Sequence, residues 1–479
     1  MITKIKQLEQ SALRLEPGQK ERNELLRKII DYSEDFLNNV NHLPAYKFTD
    51  EKGAGIYDFP VQDNGIKLDD LLQILKNNVD SPGLNPASRG HLGYIPGGGI
   101  YHSALGDFLA AVTNRYAGIF FASPGAVRME NMMTDWMAKI IGYPVSAGGN
   151  LTSGGSIANL VGIVTARDAA GLKAKDFEKS VIYLTNQVHH SIDKAIRIAG
   201  LKECMKRFIL TDEKFRMQTV LLEETIKEDK KKGLNPFLII ASAGTTDTGA
   251  VDPLEEIGEI AEKYKLWFHL DAAYGGFFIL SESARAILKG MEKSHSVIMD
   301  PHKGLFLPYG TGAVLVKDKM KLLESNHYSA NYMQDAMSST DELGPADLSP
   351  ELSKHFRGLR LWLPIKLLGV APFRDALEEK ILLARYFYEK LGEIKGFELG
   401  PYPDLSIVTF RYIPERGNPN EFNLMLVTEI QHDGRLFLSS TMLDDKFIIR
   451  LAVLAFRTHL DTIDEMLGII KEKVEFLTK

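Results

Sequence analysis

The sequence predicts an α/β protein: a large domain on a mostly parallel sheet, a helical N-terminal arm before it and a smaller α+β domain after it. Three observations carry this. From about residue 100, short β-rich apolar runs alternate with longer helical segments, the pattern of βαβ units covered by helices. The 479 residues exceed one ordinary domain. The texture also changes near residue 95 and again near residue 356, which gives units 1–95, 96–355 and 356–479.

Taken in order, residues 21–40 repeat apolar positions at helical spacing (Leu25, Leu26, Ile29, Ile30, Phe36, Leu37), as do residues 68–79. Residues 81–99 are dense in Gly, Pro and Asn and suit a loop crossing a surface or lining a cleft. Strands are expected at 180–184, 208–210, 237–242, 267–270, 296–299 and 312–316, with a helical run at 157–169. The stretch LKECMKRF, which holds Cys204, reads as helix-like, and KEDKKK at 227–232 reads as a solvated helix end. A long helix is expected from Phe356 to about Leu391, then strands at 406–412 and 447–453 and a last helix from Asp461.

Composition narrows the function classes. Hydrophobic residues at 44% and charged residues at 25% are ordinary for a folded globular chain, and a net charge of −6 offers no basic field for nucleic acid. Small molecules are the expected partners. One cysteine can make neither an internal disulfide nor a Cys-rich zinc site, which fits a reducing compartment, and no apolar run suits a membrane span or signal peptide. A cytoplasmic protein without membrane or nucleic-acid partners is expected. No GxGxxG follows a strand, and no GxxxxGK[ST], HExxH or other recognised metal-ligand spacing occurs, so dinucleotide, P-loop and metal readings lose their main support.

Four segments at strand ends could carry chemistry, since open α/β sheets bind ligands there. Thr152-Ser153-Gly154-Gly155-Ser156 precedes a helical run; it is either a plain N-cap or a phosphate site. Gln187-Val188-His189-His190-Ser191 puts a histidine where it could stack on a planar cofactor, hold a carboxylate, or simply begin a helix. Asp271 ends an apolar strand and needs a cation or donor to offset its burial, unless it caps the next turn; the small Ala272 and Ala273 beside it would let a flat ring approach. Lys303, in Asp300-Pro301-His302-Lys303, follows a core strand, where a desolvated amine could attack an aldehyde or snorkel to solvent.

Together these segments resemble the group II pyridoxal-phosphate-dependent amino-acid decarboxylases, which include the aromatic L-amino-acid decarboxylases. The match is carried by TSGGS at 152–156, NQVHHS at 186–191, ASAGTTDTGAVDP at 241–253, HLDAAYGG at 269–276, DPHKG at 300–304 and SKHFRGLRLW at 353–362. The resemblance runs in order from about residue 20 to 460. It implies a fold type I pyridoxal-phosphate enzyme that releases CO₂ from an L-amino acid and leaves an amine. It makes Lys303 the lysine that binds the cofactor aldehyde, Asp271 the partner of the ring nitrogen, and His189 the group stacked on one ring face and near the substrate carboxylate. Ala273 would pack on the other face, and Gly155 and Ser156 would hold the phosphate with Asp300 and His302 nearby. Asp300 stands where some relatives have Asn, and a bare carboxylate there would repel phosphate. Thr246 and Asp252 would support Asp271 from behind.

The resemblance also implies a homodimer with the active site at the subunit interface. Aromatics in 93–99 and 116–123 (Tyr94, Tyr116, Phe120, Phe121) favour a bulky or aromatic substrate, or else form dimer core. In the aromatic decarboxylases a loop before SKHFRGLRLW carries a tyrosine linked to carbanion protonation. No tyrosine occurs here between Tyr332 and Trp362, so His355, Tyr332 or water would give the proton. Otherwise the carbanion meets O₂ and yields an aldehyde. A desulfurase would need a reactive cysteine, and Cys204 lies outside every motif. A non-catalytic scaffold on the same fold is the alternative from another class.

Overall fold

A computed structural model describes residues 1–327 and 342–479. Three sheets organise it. A short antiparallel pair joins β1 (Tyr46–Lys47) to β2 (Gly83–Leu84). The central sheet contains β3 (Gly148–Thr152), β4 (Ser180–Leu184), β5 (Met205–Phe208), β6 (Asn235–Ser242), β7 (Trp267–Asp271), β8 (Ser296–Met299) and β9 (Gly312–Val316). Its strand order is β3-β9-β8-β7-β6-β4-β5, and only β9 runs against the rest. A four-stranded antiparallel sheet follows in the order β10-β11-β13-β12, formed by Phe397–Leu399, Ile407–Tyr412, Ser439–Leu443 and Lys446–Ala452 in chain order.

Burial explains the strand sequences. β4, β8 and β9 are buried at every position, so SVIYL, SVIM and GAVLV read as near-continuous apolar runs instead of alternating ones. Helices Gly155–Ala169 and Leu254–Tyr264 bury Ala, Val, Ile and Leu faces on this sheet. In the smaller sheet Val408, Phe410, Ile449 and Leu451 face a second core with Phe387, Leu426 and Ile470.

Three expectations need correction. The strand predicted at 208–210 lies at Met205–Phe208, so Cys204 precedes a strand and belongs to no helix. Gly200 (φ +79°) closes the preceding helix early, and Met205 and Arg207 then alternate with exposed Lys206 and Phe208, as on an edge strand. The long helix expected from Phe356 is two helices, Arg357–Leu368 and Ala371–Gly392. Gly369 (φ +73°) breaks it just before Pro372. The arm helices Ile2–Ala12 and Gln19–Asn39 bury none of their residues within the chain. Among the described residues no helix is long and apolar enough to cross a membrane.

Candidate active site

Five connections leave the same edge of the central sheet, where the strands that run together end. They follow β3 at Thr152, β4 at Leu184, β6 at Ser242, β7 at Asp271 and β8 at Met299. This is the ligand-binding edge of an open parallel sheet. A cavity of about 370 Å³ opens there. Gly155, Ser156, His189, Thr246, Asp271, Ala273, Asp300, His302 and Lys303 all line it.

Lys303 sits on the one-turn helix Pro301–Gly304, its Nζ 3.3 Å from Asp300 Oδ2. Asp300 thus faces the Lys303 amine, so its carboxylate is not bare of a partner. The His302 ring donates from Nδ1 to the Thr311 carbonyl at 2.6 Å, and burial holds its pKa below the ordinary histidine value. His189 is the N-cap of helix His190–Ile198, where its Nδ1 accepts the Ser191 backbone N–H at 3.2 Å. Burial lowers the pKa of His189 as well, against the pull of Asp271.

The residues present fit pyridoxal phosphate. Helix Gly155–Ala169 begins at the cavity wall, with the free N–H groups that a phosphate needs. A Cβ on Gly155 would lie 2.8 Å from Asp300 Oδ2 and 3.3 Å from the Ala273 Cβ, so the cradle has room only for glycine. Asp300, which lines the cavity, has its Oδ1 buried without a partner among the described residues, as expected where a polar ligand belongs. Lys303 and Asp271 supply the amine and the carboxylate that an aldehyde and a protonated ring nitrogen require.

The support expected from Thr246 and Asp252 is placed differently. Asp252 is buried, but its oxygens accept the backbone N–H groups of Met217 (2.7 Å) and Ser242 (2.8 Å) and touch no cavity side chain. Burial raises its pKa to about 6. Thr246 lines the cavity, and its carbonyl accepts from Arg450 on β13. Arg450 also donates to the Asp247 carbonyl and to Ser439 Oγ, both at 2.8 Å, which ties the cavity loop to the smaller sheet.

Asp271 is held instead by Asn159, whose Nδ2 donates to Oδ2 at 3.0 Å, and by the Ala273 N–H at 3.2 Å. Sequence reading missed Asn159 and His269. His269 lies two residues before Asp271 on the same strand face, a signal that was available.

Tyr94, Tyr116, Phe120 and Phe121 do not line this cavity. A second cavity of about 370 Å³ meets it at His302, walled by Phe36, Leu84, Pro86, Leu307 and Tyr309. His355 is also outside the cavity: its Nε2 lies 2.6 Å from Asp107 Oδ1. Tyr332 falls outside the described residues.

Residues 58–413 match the model of the pyridoxal-dependent decarboxylase conserved domain. The chain is 36% identical over 443 residues to an aromatic-L-amino-acid decarboxylase of Bacillus atrophaeus, covering 91% of each chain. It is 30% identical over 482 residues to a phenylacetaldehyde synthase of Petunia hybrida, covering 95% of this chain and 94% of that one. The crystal structure of Oryza sativa TDC with PLP and tryptamine superposes with a TM-score of 0.91 at 24% identity, over 97% of this chain and 99% of that chain. With the cavity and its cofactor-fitting residues, these likenesses make the chain a member of the pyridoxal-dependent decarboxylase family, a pyridoxal-phosphate-dependent carboxy-lyase.

Proposed function

We propose that this enzyme removes the α-carboxyl group of an aromatic L-amino acid and releases the amine. The observation that carries the assignment is the meeting of Lys303, Asp271, His189 and the Gly155 helix start in one cavity. The apolar cavity adjoining it at His302 gives a bulky side chain somewhere to go. The Bacillus relative named as an aromatic-amino-acid decarboxylase supports the same substrate class.

Pyridoxal phosphate, when bound, supplies an electron sink for the pair left on Cα as CO₂ departs. The chain does the rest. Lys303 would hold the cofactor through its side-chain amine. Asp271 would hold the proton at the ring nitrogen, and the amide of Asn159 fixes the Asp271 carboxylate. Gly155 and Ser156 would hold the phosphate at the helix start, Ala273 would pack against the ring, and His189 would cover it and orient the substrate carboxylate. The carboxylate must lie perpendicular to the ring for its bond to break, so its placement decides the reaction. Asp300 and His302 flank Lys303 and set the charge around its amine.

The working unit is a homodimer in this reading. Leu25, Leu26, Ile29 and Ile30 of the arm and Leu105, Phe108 and Val112 of helix Tyr101–Thr113 are exposed apolar residues, and a second copy would bury them. Similarity to a phenylacetaldehyde synthase sustains the aldehyde-forming alternative.

Borohydride reduction followed by peptide mapping tests the assignment: the pyridoxyl mass is expected on Lys303, and a label on another lysine overturns it. Assay against a panel of amino acids tests the substrate class. Sedimentation at low concentration tests the dimer, and an active monomer refutes it.

A further inference from the structure

Beneath the cavity, polar side chains from four elements form one hydrogen-bonded chain. Trp267 Nε1 lies 2.9 Å from Ser296 Oγ, and Ser296 Oγ lies 2.7 Å from His269 Nδ1. His269 Nε2 lies 2.9 Å from Asn159 Oδ1. The Asn159 amide nitrogen reaches Asp271 Oδ2 at 3.0 Å and Ser191 Oγ at 3.1 Å. Ser191 Oγ lies 2.8 Å from His189 Nδ1. His269, Asn159, Ser191 and Ser296 are all buried.

Chemistry fixes the direction of every bond. The carboxylate oxygen accepts from the Asn159 amide nitrogen, so Asn159 turns its NH₂ to Asp271 and its oxygen to His269. His269 must then carry its proton on Nε2. Burial pushes its pKa down to about 4, so the ring is neutral and Nδ1 is bare. Nδ1 accepts the Ser296 hydroxyl proton, and Ser296 Oγ accepts from the Trp267 indole, which can only donate. The two ends of the chain agree.

The other branch is fixed as firmly. The second Asn159 amide proton goes to Ser191 Oγ, and because His189 Nδ1 already accepts the Ser191 backbone N–H, the Ser191 hydroxyl donates to that nitrogen as well. Two donors converge on it, so it carries no proton.

We infer that Asn159 is a positioning residue that joins Asp271 to His189: one amide proton orients the carboxylate, and the other, through Ser191, leaves the His189 proton on Nε2 as a donor for the cavity. This rests on reading the cavity as the cofactor and substrate site. A neutral His189 then offers an N–H, not a lone pair, to an anionic group. Burial, joined by His190 and Lys303, outweighs the opposing pull of Asp271 and Asp300; these are the charged or titratable groups acting on it.

The test is the ¹⁵N spectrum of the histidine rings in the purified enzyme, with and without added pyridoxal phosphate, His189 being assigned by its loss in His189→Asn. One neutral tautomer with a bare Nδ1 is expected. Asn159→Leu frees the Ser191 hydroxyl to turn, so a second His189 tautomer is expected. Cofactor affinity should fall roughly tenfold or more as Asp271 loses a charge-assisted bond. Ser191→Ala cuts only one branch: the His189 signal should change while affinity stays within about twofold of wild type. A wild-type His189 protonated on Nδ1 overturns the inference. So does an Asn159→Leu enzyme with the wild-type His189 signal and affinity, and if that variant does not fold, an unchanged His189 signal in Ser191→Ala does the same. Failure of the wild-type enzyme to bind the cofactor would overturn the reading of the cavity, while the tautomer result would still stand or fall by itself.

Discussion

Lys354 and Glu130 form an ion pair shut off from water: Nζ lies 2.7 Å from Oε2, and the side chains are 0% and 2% exposed. The ammonium also donates to Asn150 Oδ1 at 3.1 Å and to the Leu151 carbonyl at 3.2 Å, while Glu130 Oε1 accepts the Gly358 N–H at 3.0 Å. Both charged groups are satisfied, so the pair ties residues 354–358 to helix Pro124–Ile140 and to β3. Removing one partner leaves a buried charge alone. Lys354→Met should therefore cost about 3–5 kcal/mol of stability, and the double variant Lys354→Met, Glu130→Leu should recover much of that loss. Denaturant unfolding measures both, and a Lys354→Met loss of only about 1 kcal/mol would class the pair with exposed ones.

Asp271→Ala should separate catalysis from folding. The carboxylate accepts two hydrogen bonds, from Asn159 and Ala273, so its loss leaves two donors unpaired at a modest cost in stability of about 1–3 kcal/mol each at most. Its effect on rate should be far larger, because an unprotonated cofactor ring stores charge poorly. Turnover near wild type in Asp271→Ala would reduce the residue to a cap.

Acid should weaken the fold before most carboxylates titrate. Burial lowers His91, His269 and His295 from 6.5 to about 4. Between pH 6.5 and about 4 the unfolded chain binds protons at these rings that the folded chain does not, so stability falls as pH falls through that window. Asp252 acts in the opposite sense: burial raises it from 3.8 to about 6, and between those values the fold holds a proton that the unfolded chain has lost. Three groups outweigh one, giving roughly two protons of net linkage near pH 5. Unfolding midpoints at pH 5 and pH 7 check this, and His295→Gln should flatten the slope by about one proton. A midpoint independent of pH over that range would contradict the assignment of neutral buried rings.

That Lys303, Asp271 and His189 meet in one cavity was legible in the sequence because each sits at or shortly after the end of an apolar strand, while the roles expected of them came from the family resemblance. The central strands were legible for the related reason that two covered faces need continuous apolar runs. Asn159 was not, since one polar residue among the apolar positions of helix Gly155–Ala169 says nothing of what it faces until the helix is laid on β7. Arg450 reaches the Thr246 loop from a strand about two hundred residues later, and local spacing cannot record such a contact. β5 and the break at Gly369 were misplaced because apolar periodicity carries on past a glycine that ends the helix.

Cys204 should be inert in the native enzyme. Burial raises its thiol to about 11, so little thiolate exists near neutral pH. A maleimide at pH 7.5 is expected to leave activity intact and to label Cys204 only after unfolding. Rapid labelling with loss of activity would reopen cysteine-based chemistry.

The product follows from which acids face the reacting carbon. His355 is drawn to Asp107, which also accepts from Arg360 Nε at 2.9 Å, and its ring lies outside the cavity. Tyr274 lines the cavity, but its hydroxyl lies 2.7 Å from Ser406 Oγ and accepts the Ser406 N–H, and burial raises its pKa further from the range of a useful acid. Burial keeps His189 and His302 from taking up the extra proton an acid needs, and the His302 Nδ1 proton is held by the Thr311 carbonyl, so among the described cavity residues the Lys303 amine is left as the proton donor, beside the site where substrate would bind. A positioned N–H returns a proton to carbon far faster than dissolved O₂ arrives at it, so the expected product is the amine. His355→Ala should leave the product unchanged, whereas His189→Asn should slow its release or divert it. Aerobic assays of CO₂, amine, ammonia and peroxide decide the matter: one amine per CO₂ is expected, and peroxide and ammonia in step with CO₂ would establish the aldehyde-forming reaction instead.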